Sequence, residues 1–310
     1  MNIFKLLEVV NRSVSGCQWG QNLVKSSKVE ASNPLDGLRY VRNQTVTNSE
    51  FDDAAPIFVL STGWRAGSTF VQRILATNKE LMMWGEPYHR SNLIEGLMGQ
   101  LAPLSNTWPL KEYYADSFEG DLSEQFSANC WPNLDNLRVA HQQYWLSLFS
   151  KPAIDNNYKN WGIKEVRWGE EHIEYLRWLF PKAKFLLLCR NPIDSYESFY
   201  SYPRAGFLQW PIQPILTARD YGKMWVKRIC EFEKQSKKEN TLFLRYEDLK
   251  TDETYNKLTD FFKFTIAHPA NLTKISLKNG ANGTKNRYLP KIERWLLNRE
   301  IKVVASKYGY

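Results

Sequence analysis

The run Lys184–Cys189, KFLLLC, limits what this chain can fold into. Successive side chains of a strand point to opposite faces, so an unbroken apolar run needs cover on both sides. A sheet open to water on one face would alternate apolar with polar residues instead. KFLLLC therefore reads as a central strand of a parallel sheet. Three more strand candidates occur: IFVLS (57–61), WGIKEV (161–166) and TLFLRY (241–246). Helical spacing fills the gaps between them. Phe70, Val71, Ile74 and Leu75 share one face, as do Ile173, Leu176, Leu179 and Phe180. DYGKMWVKRICEFEKQSKK is a long amphipathic stretch, and LPKIERWLLNREIKVVASKYG is a closing helix with Gly309 after it. Strands alternating with helices predict an α/β fold, an open and mainly parallel sheet flanked by helices.

Bulk properties narrow the function. A chain of 310 residues suffices for one large domain or two small ones, and 43% hydrophobic content argues against wholesale disorder. A net charge of +8 suits an anionic partner (nucleotide, nucleic acid, acidic glycan or membrane surface), or simply a solvated surface. Cys17, Cys130, Cys189 and Cys230 are scattered, with no CxxC pair, and read as reduced thiols of a cytoplasmic protein. No apolar stretch reaches transmembrane length. The opening MNIFKLLEVVNRSV reads as an amphipathic helix that packs on the domain, with a membrane-surface or homodimer contact as alternative uses. Sequons at Asn11, Asn43, Asn271 and Asn282 read as chance matches.

Residues 1–55 read as that helix and a polar lead-in, with Asn33-Pro34 as a turn signal, and 56–310 as a single domain. The stretch 90–160 interrupts the alternation and is rich in aromatics, among them Trp108, Tyr113, Trp131 and Trp145. It is expected to be a helical insertion walling an acceptor site, as is FYSYPRAGFLQWPIQP (199–214), because insertions in α/β folds cluster beside the ligand crevice. The competing reading makes these aromatics the core of a helical cap.

Two loops carry anion-binding chemistry. STGWRAGST (61–69) follows the first strand and opens a helix. Gly63 and Gly67 let backbone N–H groups turn toward an anion, and the helix from Ser68 adds its positive end. Ser68 and Thr69 supply hydroxyls, and Arg65 a planar fork of donors. A nucleoside-triphosphate loop would have four residues between its glycines and then a lysine; here there are three and no lysine. The second loop, CRNPIDSYES, places Arg190 at the end of KFLLLC, Asn191 as a helix cap and Pro192 in the first turn. Ser195 and Ser198 follow one turn apart.

These segments resemble the sulfotransferases that use 3′-phosphoadenosine 5′-phosphosulfate (PAPS). GWRAGSTF is similar to that family's 5′-phosphosulfate loop, which would place Arg65, Ala66, Gly67, Ser68, Thr69 and Phe70 around the donor. Arg190 and Ser198, eight residues apart, match its 3′-phosphate motif. FLRYEDLK resembles its Tyr-Glu-Asp-Leu segment, which implies that Tyr246 contacts the adenine. LKNGANGTKNR resembles the late loop that closes over the 3′-phosphate. Gly280 and Gly283 align with its glycines, Lys285 comes one residue early, the usual Trp is absent, and Lys278 is the nearest basic match. The ending KYGY also resembles the family's close.

The resemblance implies a fold like that of P-loop nucleotide hydrolases and transfer of sulfonate from PAPS, leaving 3′,5′-ADP. The acceptor would be a hydroxyl or amine of a small-molecule natural product or a sugar. Sulfuryl transfer needs positioning and cations against the growing charge of the leaving phosphate. Arg65 and Lys164 are the candidates; with protein cations in that role no metal is required. Glu86, in MMWGEPYHR, matches the glutamate base of the carbohydrate and tyrosylprotein branches; His89 is the second candidate and His141 a third. Glu165 and Arg167 flank Lys164, to tune it or to touch the acceptor. No nucleic-acid partner is implied. A P-loop kinase would need the missing lysine and a strand-end Asp. A non-catalytic nucleotide- or heparin-binding protein would leave Arg65, Lys164 and Glu86 without a role.

Overall fold

The computed structural model describes residues 33–45, 48–87, 92–117, 123, 130–200, 215–266 and 289–310. The opening amphipathic segment, His89, most of the 199–214 loop, Lys278 and Gly280 lie outside these residues. Five strands are described: β1 (Ile57–Ser61), β2 (Leu81–Trp84), β3 (Asn160–Glu165), β4 (Lys184–Cys189) and β5 (Thr241–Arg245). They form one sheet in the order β2-β3-β1-β4-β5, and every pairing is parallel. β1 is central, with Val59 opposite Lys164 on one side and Leu186 on the other.

Ten α-helices accompany the strands among the described residues: α1 (Pro34–Gln44), α2 (Ser68–Leu75), α3 (Leu93–Gly99), α4 (Leu134–Trp145), α5 (Lys151–Asp155), α6 (Glu170–Leu179), α7 (Pro192–Tyr200), α8 (Ala218–Gln235), α9 (Asp252–Phe262) and α10 (Lys291–Ala305). Both faces of β1 and β4 are covered, as the apolar runs require. Ile57, Val59, Leu186 and Leu188 pack with Val71, Ile74 and Leu75 of α2 and Leu258 and Phe262 of α9. The alternate residues Phe58 and Phe185 stack on each other on the opposite face, 5.3 Å between centroids, with Trp161 edge-on to Phe58. Both are fully buried, and truncating either to Ala removes about 3–5 kcal/mol. β2 is not among the four strand candidates of the sequence. Its four residues LMMW are too few to show a period, and the strand is recognisable only through its pairing with β3.

The described residues fall into two compact units. One comprises those of 1–46 and 96–133, the other those of 47–95 and 134–310. In the first, Asn33-Pro34 starts a helix rather than a turn: Asn33 Oδ1 accepts from the Leu35 N–H and Pro34 takes the first helical position. Gly37 of α1 lies directly against the Leu101 carbonyl. Trp108 packs edge to face with both Tyr113 and Trp131 in the same unit.

In the second unit, Trp145 and Phe149 belong to the core. Trp145 is fully buried edge-on to Trp168, and Phe149 stacks on Trp161. The helical connection also carries buried polar groups. Arg138 of α4 pairs with Asp52 and donates to the Trp178 carbonyl at 2.8 Å. His141 sits between α4 and α6, its Nδ1 2.9 Å from the Tyr175 hydroxyl and its ring against Trp178. That position makes it part of a helix–helix contact.

Burial pushes the His141 imidazole down to about 4. The unfolded chain therefore takes up this proton near pH 6.5 while the folded chain stays neutral, and stability falls as pH drops from 6.5 toward 4. Urea unfolding should show about 2 kcal/mol less stability at pH 5 than at pH 7 from this group. His141→Gln should flatten that part of the profile.

Candidate functional site

A parallel sheet brings the carboxyl ends of all its strands to one edge. The loops after β1, β3 and β4 leave from that edge; the β1–β2 connection runs to one side of the sheet and the β4–β5 connection to the other, the kind of place where ligand crevices form. The β1 loop is shaped by its first residues. Ser61 Oγ donates to the Gly63 carbonyl at 2.9 Å, and the Thr62 N–H donates to the Leu188 carbonyl at 2.9 Å. Gly67 has φ +92° and caps α2 without a side chain, so the positive end of the helix keeps no side-chain partner there. A Cβ on Gly67 would lie 2.1 Å from the ring of Tyr246, so only glycine fits. Arg65 adopts φ +65°, a left-handed conformation uncommon for a residue with a side chain.

The second loop interlocks with the first. Arg65 Nε donates to Ser198 Oγ on α7 at 3.0 Å. Arg190 Nη1 donates to the Arg65 carbonyl at 2.8 Å, and its guanidinium lies 4.7 Å from the Tyr246 ring centroid. Asn191 caps α7 as expected, its Oδ1 accepting from the Ile193 and Asp194 N–H groups. The buried Arg190 Nε has no hydrogen-bond partner among the described residues. A buried cationic donor without an acceptor is costly.

Beside this lies a charge cluster. Lys164, near the end of β3, is 5% exposed, and its Nζ is 2.5 Å from Glu86 Oε1 just beyond β2. Arg167 lies 4.0 Å from the other Glu86 oxygen. Glu165, 1% exposed, binds Arg167 through both oxygens, at 2.8 and 2.6 Å, and accepts from the Val166 and Arg167 N–H groups. Burial would discharge Arg167, but the Glu165 hydrogen bonds and the Glu165 and Glu86 charges outweigh it and hold the guanidinium above its usual range. Among the described residues no group of three or more His, Cys, Asp or Glu is placed to hold a metal, and no helix is long and apolar enough to cross a membrane.

Of the expected site residues, Arg65, Gly67, Arg190, Ser198 and Tyr246 form one interlocked region, Ser68 opens α2 directly after Gly67, and Glu86 and Lys164 form an ion pair. Three supporting residues carry no such signal in the sequence. Gln72 Nε2 donates to the Met83 carbonyl at 3.0 Å and ties α2 to β2. Trp225 Nε1 donates to the Arg190 carbonyl at 3.2 Å. Glu247 accepts from the Asn191 N–H at 2.9 Å. Glu247 stands inside the Tyr-Glu-Asp-Leu segment, but nothing local shows where its carboxylate points.

A family model described as the sulfotransferase family matches residues 56–266. No curated protein matches the chain. Among solved structures, the chain is similar to the sulfotransferase domain from the curacin biosynthetic pathway: 17% identity, 83% of this chain and 98% of that one, TM-score 0.48. It is similar to the sulfotransferase domain of the Synechococcus PCC 7002 olefin synthase at 15% identity, 85% and 98% coverage and TM-score 0.47. A mouse sulfotransferase complexed with PAP is similar at 12% identity, 89% and 93% coverage and TM-score 0.43. The family model alone spans well over half of the chain, from the start of β1 to beyond α9, and the chain belongs to the sulfotransferase family.

Proposed function

We propose that this sulfotransferase moves a sulfonate group from PAPS to a hydroxyl or amine of a small-molecule natural product or a sugar. The observation that supports this most is the Arg190 Nε, buried and unpartnered among the described residues, beside a glycine-bracketed strand–helix loop. Arg190 and Ser198 would hold the donor's 3′-phosphate. The β1 loop, Arg65 through Phe70, would hold its 5′-phosphosulfate, with Tyr246 beside the nucleotide. By resemblance Lys278 and Gly280 would close the donor site.

The chemistry then needs two charges. An S–O bond to the donor's phosphate breaks while a new S–O or S–N bond forms at the acceptor, and the acceptor's proton must leave. Glu86 would take that proton, with His89 as the alternative base. Lys164, and Arg65 on the loop, would meet the charge growing on the leaving phosphate oxygen. In the resting protein Glu86 and Lys164 form an ion pair. Protein cations supply the stabilisation, and the proposed reaction uses no metal.

Thermal denaturation with added ligand tests the donor class. At a hundredfold excess over its dissociation constant, 3′,5′-ADP should add about 2.7 kcal/mol of stability. ATP with magnesium should add less; a larger effect of ATP would make the protein a nucleoside-triphosphate enzyme instead. For the base, Glu86→Gln should lower kcat by about 10²–10⁴ and leave 3′,5′-ADP affinity nearly unchanged. Wild-type turnover in a Glu86→Gln protein that melts normally would move the base to His89.

A further inference from the structure

We infer that Glu247 and Tyr310 form a latch that fixes the peptide joining Arg190 to Asn191 and so presents Arg190 to the donor's 3′-phosphate. The inference rests on the donor reading above and assigns two positioning residues to it.

The geometry concerns one peptide plane. Its N–H, on Asn191, donates to Glu247 Oε1 at 2.9 Å. Its C=O, on Arg190, accepts from Trp225 Nε1 at 3.2 Å. With both ends bonded, the plane cannot rotate, and the direction in which Arg190 leaves the backbone is set. The guanidinium is then steered by the Arg65 carbonyl and the Tyr246 ring. Tyr246 is itself held in place, because its ring lies between Arg190 and the bare backbone of Gly67.

Glu247 needs a fixed position to act. Its other oxygen, Oε2, accepts from the Tyr310 hydroxyl at 2.7 Å. Tyr310 is placed by a left-handed reversal at Gly309, φ +75°, and by its N–H donating to the Ala305 carbonyl at 3.1 Å. Its ring stands edge-on to Trp225, so the two sides of the latch touch. Arg245 holds the same strand end, donating to the Tyr308 carbonyl at 2.8 Å and to both oxygens of Asp248. Burial, with the nearby Cys189 and Glu247, raises the Tyr310 hydroxyl far above its ordinary range, and it remains a donor at any working pH. Both Glu247 oxygens are met by donors, which fixes the carboxylate in place.

Tyr310→Phe removes one hydroxyl and keeps the ring against Trp225. Calorimetric titration of the full-length protein with 3′,5′-ADP and with 5′-AMP isolates the 3′-phosphate. The expected result is about tenfold weaker binding of 3′,5′-ADP, as for one charge-assisted hydrogen bond, with 5′-AMP affinity unchanged. Glu247→Ala, which also frees the Asn191 N–H, should show the same selective loss, and a larger one. Equal weakening of both nucleotides, or of neither, overturns the latch. A wild-type protein that binds the two nucleotides equally overturns the donor reading itself, and the latch with it.

Discussion

The parallel pairing of β1 between β3 and β4 is the constraint on which everything else depends. It places Val59 between Lys164 and Leu186, and so brings loops from three distant parts of the chain to one edge. The pairing is possible because both faces of β1 are apolar and both are covered, by α2 and α9 on one side and by an aromatic stack on the other. A polar residue in place of Phe58 or Val59 would bury a polar group among apolar side chains.

The charges at the site are better explained by chemistry than by stability. Lys164, Glu165 and Arg167 are almost wholly buried, and burying ions costs as much as their pairing returns. Well-packed apolar residues would hold this edge together equally well. What the arrangement secures is a fixed order of charges: Glu165 orients Arg167, and Arg167 and Lys164 flank Glu86. Glu86 is the most exposed of the four.

Much of the site is legible in the sequence because its parts are local. The strand–glycine–helix pattern, the Asn191 cap and the Arg190–Ser198 spacing each sit within one short segment, and the first two appear where the pattern puts them. The illegible parts are pairings across the chain. Glu247 and Tyr310 lie 63 residues apart, and Lys164 and Glu86 78 apart. Side-chain periodicity carries no signal for such meetings. The aromatics of 90–160 divide for the same reason. Trp145 and Phe149 are core beneath the sheet, while Trp108 and Trp131 pack in the other unit, and composition alone treats them alike.

By itself the sequence determined the class of fold and the local shape of the loops after β1 and β4, because apolar runs, glycines and caps act over a few residues through backbone sterics and burial. Only the tertiary structure decided which charges face each other. It set Glu86 against Lys164, left the Arg190 Nε without an acceptor among the described residues, and wedged Tyr246 between Gly67 and Arg190. Those outcomes depend on the order and register of the strands, which long-range packing selects and no short window of residues encodes.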